Sequence, residues 1–247
     1  MKKKFSPALA ADLALLVMAL IWGSGFVFMK TSLEELRPME LIAIRMGIGA
    51  LILTLFCFPR LKKMTKKMFW SGCLIGAALF FGFWFQTVGL ETTSAGGSAF
   101  LTATYVVLVP LLMLLFSKQK PDIASGIAAL FMLIGIFLLT ATPEGTILRW
   151  GDAFTLLGSL FYALQVILIA LFSKDQDPIV LAILQMGAAS VIGFAGHFLF
   201  EEPSLIIPPS AVPTLLYLGL VASGFALLIQ NVAQKYTSAT HAGILMS

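Results

Sequence analysis

The stretch Leu90-Glu91-Thr92-Thr93-Ser94-Ala95-Gly96-Gly97-Ser98-Ala99-Phe100-Leu101 returns, blurred, as Gln234-Lys235-Tyr236-Thr237-Ser238-Ala239-Thr240-His241-Ala242-Gly243-Ile244-Leu245. Both copies set a Thr-Ser-Ala turn before an apolar run. The register that superimposes them also pairs Gln86 with Gln230, Val88 with Val232 and Phe81 with Phe225. Upstream, a register four residues shorter pairs Asp12 with Asp152, Pro38 with Pro178, Leu41 with Leu181, and Met46-Gly47 with Met186-Gly187. Gln, Pro and Thr-Ser-Ala are not residues that an apolar composition repeats by chance. The chain therefore reads as two related halves.

Composition sets the solvent for those halves. Of 247 residues, 59% are hydrophobic and 11% charged, and the mean hydropathy is +0.98. A soluble domain carries about 25% charged residues, so this chain lacks the polar surface that water requires. A lipid bilayer is its expected surroundings. The formal charge of +4 does not mark a nucleic-acid partner, because the basic residues sit in short runs between apolar segments, at Lys2-Lys3-Lys4 and from Arg60 to Lys67. Cys57 and Cys73 lie in or beside apolar segments without metal-ligand spacing and read as small buried hydrophobes. The run Leu13–Met29 exceeds the ~7–15 residues of a signal-peptide core and reads as a first membrane helix.

A span needs about 20 apolar residues, since the hydrocarbon core is ~30 Å thick and a helix rises 1.5 Å per residue. Such segments fall at Pro7–Met29, Met39–Phe58, Met68–Leu90, Ser94–Phe116, Ile123–Thr142, Ala153–Phe172, Ile179–Phe200 and Val212–Ala233. A ninth begins near Ala239 and is cut at Ser247. With the N-terminus cytoplasmic, that side holds twelve Lys and Arg residues and the other side holds Lys30, Arg37 and Arg149, which fixes the orientation by the positive-inside rule. In this frame the sixth to eighth segments repeat the first to third, and the ninth repeats the fourth. A unit of five helices is odd, so the second copy enters the membrane upside down. The exchange of Glu91 for Lys235 in the repeated turn agrees with that inversion. Two inverted halves can open a central site to one side and then the other.

Ile21-Trp22-Gly23-Ser24-Gly25-Phe26, the run from Pro38 to Arg45, and the Thr-Ser-Ala turn together resemble the EamA family of the drug/metabolite transporter superfamily. The resemblance covers nearly the whole chain. It implies an all-α integral membrane fold of ten helices in two inverted five-helix repeats, here residues 1–145 and 146–247, the second incomplete and truncated within helix 9. It also implies a central cavity and alternating-access export or exchange of small metabolites, amino-acid-like or drug-like. The expected location is the plasma membrane. Relatives often carry a Gly-Glu pair after the fourth helix, where this chain has Phe116-Ser117-Lys118-Gln119-Lys120.

Polar groups inside a bilayer are expensive and turn toward a bundle interior or a wet cavity. Arg45 stands out: its planar guanidinium could clamp a substrate carboxylate, or tie to helix-end carbonyls or to an acid such as Glu40. Gln86 and Gln230 occupy matching places near opposite membrane faces, as gating, recognition or interhelical contacts. Trp22, Trp84, Tyr105, Tyr162 and Gln165 complete the candidate cavity, though aromatics also pack or anchor at interfaces. Gly23, Gly25, Gly47, Gly49, Gly96 and Gly97 are expected to let backbones approach, and Pro110 to kink the fourth helix. His197 and His241 read as isolated, so neither a metal nor another cofactor is expected. Among the alternatives, a lipid-directed membrane enzyme lacks HExxH, DxxxD and Gly-x-Ser-x-Gly, while a non-functional truncated carrier stays open, as does the oligomeric state.

Overall fold

The computed structural model describes residues 6–117, 149–201 and 206–247, with scattered positions between 123 and 146. Apart from those positions, the fifth predicted segment, Ile123–Thr142, lies outside the described residues, as do Lys2-Lys3-Lys4, Lys118, Lys120 and Glu144. Where the end of that segment is described, Ala141–Thr142 pairs antiparallel with Gly145–Thr146 instead of continuing a helix.

Among the described residues, seven helices are long and apolar enough to cross a membrane. They are α1 (Pro7–Ser32), α2 (Pro38–Leu61), α3 (Lys66–Thr92), the pair α4 (Ala95–Thr102) and α5 (Tyr105–Ser117), α6 (Trp150–Phe172), α7 (Pro178–Phe200), and a composite span over Pro209–Ala233. The composite begins with a 3-10 turn, Pro209–Ala211. It continues through α8 (Val212–Leu216) and a π-helical stretch, Tyr217–Phe225, to α9 (Ala226–Ala233). A last short helix, α10, covers Ala239–Leu245. Large apolar side chains point outward along the spans, including Leu20, Phe56, Val191 and Phe200. Water would penalise that surface at roughly 25 cal/mol per Å², whereas lipid accepts it. The chain is a multi-pass membrane protein.

Local sequence explains where the helices begin. Ser6, Thr65, Ser94 and Ser238 each accept a hydrogen bond from the N–H three residues on, at Leu9, Met68, Gly97 and His241. Each satisfies one of the donors that a helix start leaves unpaired. The two Thr-Ser-Ala turns thus start α4 and α10 by the same device. Pro59 breaks the regular geometry of α2 at Cys57. The fourth span is interrupted at Ala103–Thr104, more than a turn before Pro110, so its discontinuity falls on the N-terminal side of the proline where a kink at the residue itself was expected.

The core is formed by α3 against α6 and α7, and by α2 against α7 and the π-helical stretch. Gly89 and Gly151 bring α3 and α6 together: a Cβ on either would stand 2.5 Å from the other's carbonyl oxygen. Of the glycines singled out by sequence, Gly49 lies at a backbone approach, against Gly219 and Gly224. Gly23 and Gly96 instead face open space.

Hydrogen bonds also define the two ends of the bundle. At one end Lys30 donates to the carbonyls of Leu90, Glu91 and Thr93, and the Thr93 hydroxyl donates to Asp152. The Glu201 carboxylate there accepts from the N–H groups of Met39 and Glu40. At the other end Arg60 pairs with Asp177 at 2.9 Å, and His241 meets Asp12. His197 is not isolated either: its Nδ1 lies 2.8 Å from Glu201, one turn further along the chain.

Candidate functional site

A cavity of about 110 Å³ lies between α1, α2, α3, α4, α5 and α6, with Ala222 of the π-helical stretch and Met246 and Ser247 after α10 completing its wall. Six of the eight sequence candidates line it: Trp22, Arg45, Gln86, Tyr105, Tyr162 and Gln165. The other two do not. Trp84 joins an aromatic cluster with Phe81 and Phe85 on α3, the latter stacked on Phe154 and Phe161 of α6. Gln230 sits behind the wall, where it exchanges two hydrogen bonds with Gln165 at 3.0 and 3.1 Å.

Arg45 is 2% exposed. Its Nε donates to the Ser223 hydroxyl at 2.9 Å, one Nη donates to the Met29 sulfur at 2.8 Å, and the guanidinium lies 4.4 Å from the centroid of Phe83. No ion pair holds it among the described residues. The suggested tie to Glu40 is not made, because that carboxylate turns back to the Arg37 N–H at the start of α2. A buried cation that leans on a hydroxyl, a thioether and a ring face has no full counter-charge among the described residues.

A second group centres on Gln86. Its Nε2 donates to the Thr102 hydroxyl and its Oε1 accepts from the Tyr162 hydroxyl, both at 2.9 Å. This ties α3 to α4 on one side and to α6 on the other. Gln165 forms the third group and reaches Gln185 as well as Gln230. Gln86 and Gln230 are paired by the sequence register, yet one faces the cavity and the other braces its wall. The pairing that sets Gln165 opposite Gly25 gives the physical reason: where α6 carries an amide, α1 carries no side chain.

The residues that sequence reading missed sit on the π-helical stretch and its neighbours. Trp22 Nε1 donates to the Ala222 carbonyl at 3.0 Å, beside the Ser223 that holds Arg45. A π-helix winds wider than an α-helix and recurs at functional places. It leaves no mark on a pattern read in steps of three and four. Nor does the repeat reveal Ser223, which the register opposes to Leu79. Met29, Thr102 and Phe83 likewise read as packing residues until the fold brings them to Arg45 and Gln86.

Comparison with known proteins extends this geometry. The profile of the EamA-like transporter family matches residues 9–141 and 149–247. An uncharacterized transporter of Archaeoglobus fulgidus is 33% identical over 97% of this chain and 74% of its own length. The uncharacterized transporter YoaV of Bacillus subtilis is 26% identical over 88% of this chain and 77% of its own. The uncharacterized inner membrane transporter YedA of Escherichia coli is 25% identical, with 89% and 74% covered. A solved crystal structure superimposes with a TM-score of 0.73 over 96% of this chain and 85% of that one, at 18% identity, which establishes likeness of fold.

Proposed function

The chain belongs to the EamA-like transporter family, and on that premise we propose that it is a secondary carrier that moves small metabolites outward across the plasma membrane by alternating access. The two matched blocks, 9–141 and 149–247, support reading it as two repeats with a boundary near residue 145. Identical capping at Ser94 and Ser238 supports the same division. The described end that carries Arg60, Lys62, Lys63, Lys66, Lys67 and Lys174 is the cytoplasmic one by the positive-inside rule. The N-terminus of α1 shares that end.

The observation that carries the proposal is the convergence of Arg45, Gln86, Tyr162 and Gln165 on one cavity inside the spans. Charged and amide groups are retained in lipid surroundings where they meet a substrate or a pathway. Metabolite flux is the test. Proteoliposomes loaded with labelled amino acids and small organic acids should release at least one of them in a protein-dependent way. Arg45→Ala and Gln86→Ala should each cut that release by tenfold or more, an effect of about 1.4 kcal/mol, while membrane insertion is retained. Undiminished flux in both variants would remove these residues from the substrate path.

A further inference from the structure

We infer that the cavity selects small monoanions, organic carboxylates with a compact apolar body, and rejects molecules that carry an ammonium group. The inference rests on the carrier reading and sharpens its substrate.

Charge is the first observation. Arg45 brings a full positive charge to the cavity, and among the described residues no Asp or Glu lines it. An arginine has five N–H donors, and the two hydrogen bonds Arg45 makes among the described residues go to uncharged partners, Ser223 and Met29. A carboxylate that enters would supply the missing counter-charge and accept from the remaining guanidinium donors in the planar geometry that arginine favours. An ammonium would meet like charge and no acid.

The second observation is the direction of the spare hydrogen bonds. Four acceptors around the cavity already hold a donor. Gln86 Oε1 accepts from Tyr162, Thr102 from Gln86, Gln165 Oε1 from Gln230, and the Ala222 carbonyl from Trp22. Among the described residues the Tyr105 hydroxyl has no hydrogen-bond partner, although the residue is 4% exposed and lines the cavity. Arg45 and Tyr105 thus both offer hydrogen, and among the described residues no Asp or Glu side chain answers them. A buried polar group left without a partner is destabilising, and a carboxylate relieves both.

The third observation is the character of the cavity wall. Its apolar lining includes Trp22, Phe26 and Phe83, which suits a branched aliphatic body.

Isovalerate and valine separate the possibilities, because valine is isovalerate with one ammonium added; isovaleramide and isobutylamine complete the set. Binding to the purified full chain is read by ligand-dependent thermal shift and Trp fluorescence, and movement by counterflow in proteoliposomes. Isovalerate should bind at least roughly tenfold more tightly than each of the other three. Arg45→Gln should erase that preference. Tyr105→Phe breaks no existing hydrogen bond, so it folds as the parent does, and it should weaken isovalerate about tenfold. Valine or isobutylamine bound as well as isovalerate overturns the anion inference and leaves the carrier reading standing. If none of the four binds but other metabolites are carried, the anion inference again falls alone. If no metabolite moves at all, both fall. The wild-type ligand series decides even if Arg45→Gln does not fold.

Discussion

At the scale of single residues, the cavity is held by side chains that each satisfy a specific neighbour. Tyr162 donates to Gln86 Oε1 inside the protein, so Tyr162→Phe leaves a buried acceptor bare and should destabilise the fold by about 1–3 kcal/mol. Thermal unfolding in detergent measures this, and an unchanged midpoint would show that another donor takes over. At the membrane edge, burial raises the pKa of Asp177. The hydrogen bond and charge of Arg60 and the N–H groups of Ile179 and Val180 outweigh this, so the net value falls below the usual 3.8. A depressed carboxylate stabilises the folded state above its unfolded value, and that contribution is lost as pH falls through the folded one. Wild type should therefore lose more stability than Asp177→Asn on acidification below about pH 4. Asparagine keeps the capping oxygen without the titration, and parallel curves would contradict the assignment. Arg45 was legible in the sequence as a charge inside an apolar run. Its partners were not, because Ser223 and Met29 meet it only through folding.

At the scale of elements, hydropathy located the seven described spans well, since a span must be long and apolar whatever its partners. Their internal irregularities were hidden. The π-helical turn across Tyr217–Phe225 answers to packing against α2, and Trp84 has the composition of a cavity residue yet belongs to an aromatic ladder between α3 and α6. Helix contacts obey small residues that the repeat did not emphasise. Gly151→Ala would force a methyl against the Gly89 carbonyl and should destabilise by about 1–3 kcal/mol. Loss of folded protein on size-exclusion chromatography would register it. A well-behaved variant would mean that α3 and α6 can slide apart.

For the whole molecule, the proposed orientation places Glu35 and Lys63 on opposite sides of the membrane. Single cysteines placed at Glu35 and Lys63, in a background lacking Cys57 and Cys73, should be labelled from opposite sides of the membrane. An impermeant thiol reagent applied outside cells should reach the first alone, and the reverse pattern would invert the proposed orientation.

The lone guanidinium of Arg45 has an electrical consequence. Among the described residues no buried acid at mid-membrane accompanies it, so on the anion proposal the cargo itself supplies the counter-charge. A carrier of this kind needs no proton to balance its cargo. An interior-negative potential would itself expel the anion, with ~2.3 kcal/mol per elementary charge for each 100 mV, or roughly a fifty-fold concentration ratio. Export would then be powered by voltage, and clamping the voltage at zero would leave only net movement down the anion's own concentration gradient.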